Sequence, residues 1–147
     1  MPIYFYSKID EYGCFSNFSK HPFSLDGGYW QTSEHYFQAQ KFAGHPHAEK
    51  IARAKTPKDA ANLGRERTVP LRADWEFVKD DIMRKAVLRK FETHEDIRAI
   101  LLGTENEEIV ENAKGDFYWG CGADGSGKNI LGKILMETRD RLRARNV

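Results

Sequence analysis

The chain has almost no cysteine: Cys14 and Cys121 are the whole complement. Two thiols are too few to staple a secreted scaffold, so they read as free thiols of a reducing compartment. Long apolar runs are missing too. No segment approaches the roughly 18 apolar residues of a membrane span. The start, Met1-Pro2-Ile3-Tyr4-Phe5-Tyr6, lacks the basic stretch and apolar core of a secretory leader, which makes the cytoplasm (or the nucleus of a eukaryote) the expected location. Metal-ligand spacing is absent: His21, His35, His45, His47 and His94 are scattered, and no Cys/His pattern fits zinc. No metal and no cofactor is expected. Neither charge sign dominates, since 23 Lys and Arg face 22 Asp and Glu, and there is no basic run to announce a long nucleic-acid footprint. Repeats, low-complexity tracts and composition breaks are also lacking. Residues 1–147 therefore read as one domain, long enough to bury a core unaided.

What is there concentrates in Thr32-Ser33-Glu34-His35-Tyr36-Phe37-Gln38-Ala39-Gln40-Lys41-Phe42. Thr32 or Ser33 can cap a helix, because a short hydroxyl accepts a hydrogen bond from an unpaired first-turn N–H. Glu34 then falls in the first turn, where the helix dipole favours negative charge. Glu34, Gln38 and Lys41 recur at i, i+4 and i+7 and share one face. Tyr36, Phe37 and Phe42 supply bulk for a core. A carboxylate and an amine facing one cavity suit hydrolysis of a sugar–nitrogen bond. The same spacing also describes a plain solvated face.

Around this stretch the chain reads as follows. Pro2 to Tyr6 is a short aromatic strand. In the loop Tyr12 to Phe18, Phe15 and Phe18 flank Ser16 and Asn17, either as an aromatic wall beside polar donors or as anchors of a turn. Phe23-Ser24-Leu25 and Tyr29-Trp30 about Asp26-Gly27-Gly28 predict a hairpin. Gly44 and Pro46 end the central helix. A short helix covers His47 to Lys55 with Ile51 and Ala52 inward, and another runs from Thr56-Pro57 to Gly64. Arg65 and Arg67 follow; they either complement that helix end or grip phosphate. Asp74 caps the longest helix, Trp75 to about Phe91, whose stripe is Trp75, Val78, Ile82 and Ala86. Thr93 opens a helix through Ile97, Ile100 and Leu101. Thr104 with Glu107 forms a capping box for another through Ile109 and Val110. The last helix runs from about Asn129 to Arg143, with Ile130, Leu131, Ile134, Leu135 and Leu142 inward. Many helices, a small N-terminal strand region and no βαβ alternation give a mainly helical α+β class.

Gly122-Ala123-Asp124-Gly125-Ser126-Gly127-Lys128-Asn129 matches a phosphate-loop pattern up to its last position, where Asn129 replaces the hydroxyl that would hold Mg²⁺. The lead-in Gly115 to Cys121 is no buried strand. A nucleotide hydrolase is thereby set aside. What survives is a glycine loop before a helix N-terminus, which is either a plain turn or a favourable place for an anion.

Four blocks stand out: Phe15-Ser16-Asn17-Phe18; Trp30 with Ser33 to Phe42; Ala60-Ala61 and Gly64-Arg65 followed by Trp75 and Met83; and Trp119-Gly120 with Gly127-Lys128-Asn129, Leu131-Gly132 and Leu135-Met136. Together they resemble the NADAR family, the YbiA-like N-glycosidases. The resemblance runs in order over nearly the whole chain. It implies a compact single-domain NADAR fold and hydrolysis of a C1′–N bond to a phosphorylated ribose. The implied substrate is ADP-ribose on guanine of DNA or RNA, or a ribosylaminopyrimidine phosphate of the riboflavin pathway. By analogy Glu34, Trp75 and Lys41 form the catalytic group, with Lys41 the covalent amine. Ser16, Asn17, Phe18, Trp30, Gln38, Arg65, Trp119, Gly120 and Asn129 are expected to hold substrate. One departure stands out: where many relatives read Trp-Gly-Asp-Gly, this chain reads Trp119-Gly120-Cys121-Gly122. Cys121 cannot replace a carboxylate, and Asp116 and Asp124 are the nearby stand-ins. Two other classes compete. A non-catalytic ADP-ribose or nucleotide-binding module would keep the arginine, glycine and tryptophan features without needing Glu34 and Lys41 together. A purely structural helical domain would leave the polar blocks unconnected.

Overall fold

The computed structural model describes residues 1–145. Along the chain lie β1 (Ile3–Phe5), a 3-10 turn (Gly13–Phe15), β2 (Phe23–Leu25), β3 (Gly28–Trp30), α1 (Ser33–Gln40), α2 (Pro46–Ala52), α3 (Pro57–Gly64), α4 (Trp75–Thr93), α5 (Glu95–Gly103), β4 (Ile109–Glu111) and α6 (Ile130–Arg145). The class is mainly helical α+β. Backbone contacts divide the chain into a central unit, Asn17–Lys90, and a terminal unit made of residues 1–16 with the chain from Phe91 onward. The later boundary falls inside α4. No linker marks it, which is why composition gives no hint of it.

In the central unit, β2 and β3 pair antiparallel with Phe23 opposite Trp30. Asp26 (φ 54°) and Gly27 (φ 79°) both take positive φ at the turn, as a two-residue hairpin of type I′ needs. Tyr36 Oη donates to Asp26 at 2.7 Å, and Lys85 Nζ donates to the same carboxylate at 3.0 Å, so the turn is tied to α1 and α4. The core gathers Ala39, Phe42, Ile51, Ala54 and Ala60, with Trp30, Leu63 and Leu71 packed against it. Thr32 caps α1 by accepting from the His35 N–H at 3.1 Å. Buried His35 Nε2 faces the Ala54 carbonyl at 3.0 Å, so it carries the proton; Nδ1 then accepts from the Thr32 hydroxyl at 2.8 Å. Thr56 caps α3 in the same way. The second short helix stops at Ala52 rather than Lys55, and Ala52 is only half-buried.

In the terminal unit, β1 and β4 pair in parallel, with Ile3, Tyr4 and Phe5 opposite Ile109, Val110 and Glu111. Phe5, Phe15 and Phe91 meet edge to face, and Ile97, Leu101, Leu131, Ile134 and Leu135 complete the buried set. Four expectations are corrected here. Thr93 ends α4 rather than opening a helix; His94 occupies the N-cap position of α5, and Ile100 is exposed. Thr104 and Glu107 do not form a capping box. Thr104 closes α5, and its hydroxyl donates to Leu101 O and accepts from Arg139 of α6. Glu105 then takes φ 56°, which breaks any helix, and Ile109-Val110 pair with β1 as a strand. Ile130, expected inward, is half-buried.

Candidate active site

On α1 of the central unit, Glu34 is 9% exposed and Gln38 is 8% exposed. The spacing that put them on one face therefore buries them; they are not a solvated stripe. Gln38 Nε2 donates to Glu34 Oε2 at 2.6 Å, while Gln38 Oε1 is buried without a hydrogen-bond partner. That oxygen sits against Gly64: a Cβ there would lie 1.9 Å from it. Only glycine lets α3 come this close to α1, so Gly64 fixes the amide that fixes Glu34.

Lys41 follows α1 as its C-cap, half-buried. Its backbone carbonyl accepts from Arg72 N–H at 2.9 Å, and Arg72 is itself held by Asp74 in a two-pronged pair at 2.6 and 3.1 Å. The Lys41 Nζ lies 5.8 Å from the centre of the Phe37 ring and 6.0 Å from that of Trp75. Those two rings pack at 5.1 Å. Burial pulls the Lys41 amine down to about 8, against the opposing pull of Glu34, with Arg67, Arg65 and Lys79 adding positive charge that lowers it further. Carboxylate, amine and rings thus belong to one electrostatic group.

Other expected residues are placed differently. Ser33 Oγ donates to Asn17 Oδ1 at 2.8 Å, and Asn17 O accepts from the Glu34 N–H at 3.1 Å. Asn17 is therefore a clasp on the start of α1. Phe18 is half-buried in the segment after it. Trp30 donates its indole N–H to Leu25 O at 3.1 Å and meets Tyr36 edge-on at 5.2 Å. Tyr36 lies about 200° round α1 from Glu34, so Trp30 is core and is not brought to the Glu34 face. Arg65 is exposed and donates to Asn62 at 2.7 Å; Arg67 donates to Gly64 O at 2.9 Å. Both arginines engage the end of α3, and their charge lowers the Lys41 amine. Phe37 and Lys79 also belong to the group, although the sequence marks Phe37 only as core bulk. The available signal was that Lys79 follows Trp75 by one helical turn.

Within the terminal unit, Ser16 is buried and its N–H donates to Gly13 O. The start of α6 is not open to an anion: the amides of Asn129, Ile130 and Leu131 donate to Gly120, Tyr118 and Trp119 carbonyls at 2.9, 3.1 and 3.1 Å. Gly120 and Trp119 thus act through their backbones. The Asn129 side chain is spent on β4, accepting from the Glu111 N–H and donating to Ile109 O, each at 2.9 Å.

The NADAR domain family model matches residues 4–143. The chain belongs to the NADAR family. It is 52% identical over 140 residues to N-glycosidase YbiA of Escherichia coli (strain K12), covering 95% of this chain and 88% of that protein. It is 53% identical over 146 residues to N-glycosidase Npun_R5314 of Nostoc punctiforme (strain ATCC 29133 / PCC 73102), covering 97% and 94%. Riboflavin biosynthesis protein PYRR, chloroplastic, of Zea mays is 40% identical over 155 residues, covering 95% of this chain but 25% of that protein. The NMR structure of the E. coli protein YbiA matches with a TM-score of 0.91 at 50% identity, over 99% of this chain and 87% of that one. The expected NADAR fold is therefore the observed one. Within this NADAR chain, buried Cys121 Sγ lies 3.5 Å from Asn112 Oδ1. The two carboxylates considered as stand-ins are engaged locally: Asp116 accepts from the Tyr118 and Trp119 N–H groups, and Asp124 from Ser126. Among the described residues, no helix is long and apolar enough to cross a membrane.

Proposed function

We propose that this chain is an N-glycosidase hydrolysing the C1′–N bond of a phosphorylated ribosyl substrate, with Glu34 as general acid/base and Lys41 as the attacking amine. The N-glycosidase names of its close NADAR relatives support the reaction class. The observation that carries the residue roles is a buried carboxylate and, seven residues on along the same face, a half-buried amine set against Phe37 and Trp75. At pH 7 an amine near 8 is about one-tenth neutral, against roughly 0.03% for an ordinary lysine. Only the neutral amine is a nucleophile.

In this reading the ribose ring opens as its oxygen takes the proton of the Glu34 carboxyl, and C1′ becomes a protonated imine to the base nitrogen. The Lys41 amine adds to C1′ and gives a proton to the Glu34 carboxylate. That proton passes to the base nitrogen as it leaves. The resulting Schiff base is hydrolysed by water, releasing the sugar and restoring Lys41. Phe37 and Trp75 keep the amine dry, and Arg65, Arg67 and Lys79 offer positive charge to phosphate. Gln38 orients Glu34 and is not free to bind substrate through the amide N–H already given to it. Residues 1–147 are taken as one working NADAR domain, supported by the unbroken family match.

The PYRR name favours a ribosylaminopyrimidine phosphate of riboflavin synthesis. The cluster of three cations also suits the diphosphate of ADP-ribose on guanine in DNA or RNA. Incubating the protein with both substrates side by side, with borohydride present, tests reaction and residue together. Base release with a reduced sugar adduct on Lys41 is expected. No adduct, with near-normal turnover in Lys41→Ala, overturns the covalent route. Binding without base release overturns the enzyme and supports a binding module.

A further inference from the structure

The terminal unit holds a cavity of about 370 Å³ that no step of the proposed hydrolysis uses. One wall is a face of the β1–β4 ribbon. Side chains alternate along a strand, so Tyr4 and its ladder partner Val110 point the same way, with Asn112 two residues further on. Lys133 and Met136 of α6 and the glycine loop from Gly122 to Gly127 close the rest. The floor is neutral: Val110 and Cys121 are each 8% exposed. The rim is cationic, since Lys114, Lys128 and Lys133 face a single carboxylate, Glu108.

That distribution selects for charge and shape. Amines around a partly desolvated floor attract an anion several-fold more strongly than the same amines in water. The Cys121 thiol holds the carbonyl end of Asn112, which leaves the NH₂ end as the donor. Tyr4 is 57% exposed and offers a ring face to a planar group. The volume lies at the small end of ligand sites. We infer that this cavity binds a small organic phosphate bearing a planar ring, of mononucleotide size, and that the uncharged Cys121 floor permits it. A carboxylate at position 121 would halve the net positive charge of the lining.

The inference is independent of the glycosidase reading, because its test reads binding and not turnover. The full chain is titrated with AMP, and with inorganic phosphate as the control, while backbone amide resonances are followed by NMR. Expected are saturable shifts at Gly122, Ala123 and Gly125, with weaker binding of phosphate alone. Lys133→Glu and Cys121→Asp should each weaken AMP roughly tenfold or more. The same spectra report whether each variant is folded, and exposed Lys133 gives a second variant should Cys121→Asp fail to fold. No shift at the glycine loop, shifts confined to α1, equal affinity for phosphate and AMP, or equal affinity in Lys133→Glu and the parent would overturn it.

Discussion

The starts of α1 and α6 both look functional in sequence, and they are built to opposite ends. At α1, Thr32 and Asn17 satisfy the first N–H groups, so the Glu34 carboxylate is not needed as a cap and is buried beside Gln38. At α6, Asn129 uses its own side chain to bind β4, and the segment from Tyr118 to Gly120 lays carbonyls over the amides. One helix start is capped by its neighbours, which leaves its carboxylate to pair with Gln38. The other consumes its polar groups in holding the fold. A residue type is thus informative only once its hydrogen bonds have been assigned.

This contrast predicts losses of different kinds. The largest is in turnover: Glu34→Gln should cut kcat by roughly 10²-fold or more with little change in thermal stability, and kcat/KM of the parent should rise with pH towards about 8 as Lys41 loses its proton. Rate assays with a melting curve check both, and a large loss of stability with normal kcat would break the contrast. Asn129→Ala should do the reverse. It strips partners from Glu111 N–H and Ile109 O, costing about 2–4 kcal/mol of stability in denaturant unfolding, while kcat per folded molecule stays near normal. Gly64→Ala is intermediate, because its Cβ must displace Gln38 Oε1. About 1–3 kcal/mol of destabilisation should accompany a measurable fall in kcat, and Gly64→Ala with unchanged kcat would show that Gln38 does not position Glu34.

The smallest effect is on acid stability. Burial lowers His35 below its ordinary 6.5, so the unfolded chain takes up that proton first and stability declines as pH falls from about 6.5. Tyr36 and Lys85 lower Asp26 below 3.8, so its contribution is present above that value and lost as pH falls through the lower folded one. Tyr36→Phe should flatten the lower window, in urea melts across pH, by no more than about 1 kcal/mol.

Much of the central unit was legible. Thr32 and Thr56 cap where their hydroxyls suggested, Asp26-Gly27 turns the hairpin, and the i, i+4, i+7 face of α1 is the face that carries Glu34, Gln38 and Lys41. These are local signals, set by residues within two turns of one another. The failures are non-local. Thr104 looked like a cap because Glu107 follows it, yet its hydroxyl is claimed by Arg139, 35 residues away, and Ile109-Val110 become a strand because β1 lies ready to pair. Trp30 carries the right ring for a binding wall, but its N–H belongs to the hairpin and its face to Tyr36. Asn17 and Asn129 belong to the set expected to help hold substrate, and in the fold their side-chain amides engage α1, α4 and β4. No pattern within the chain tells where a side-chain amide will find its partner.

The lone oxygen of Gln38 has a mechanical outcome. An amide is nearly the same shape turned over, and on the Gly64 side turning it breaks no hydrogen bond, because the oxygen there has none. While Glu34 is ionised the NH₂ must point at it. Once Glu34 takes a proton, the rotated amide presents a carbonyl to receive the new O–H. Under the proposed acid/base role of Glu34, a half-turn of one neighbour would serve both protonation states with no backbone movement.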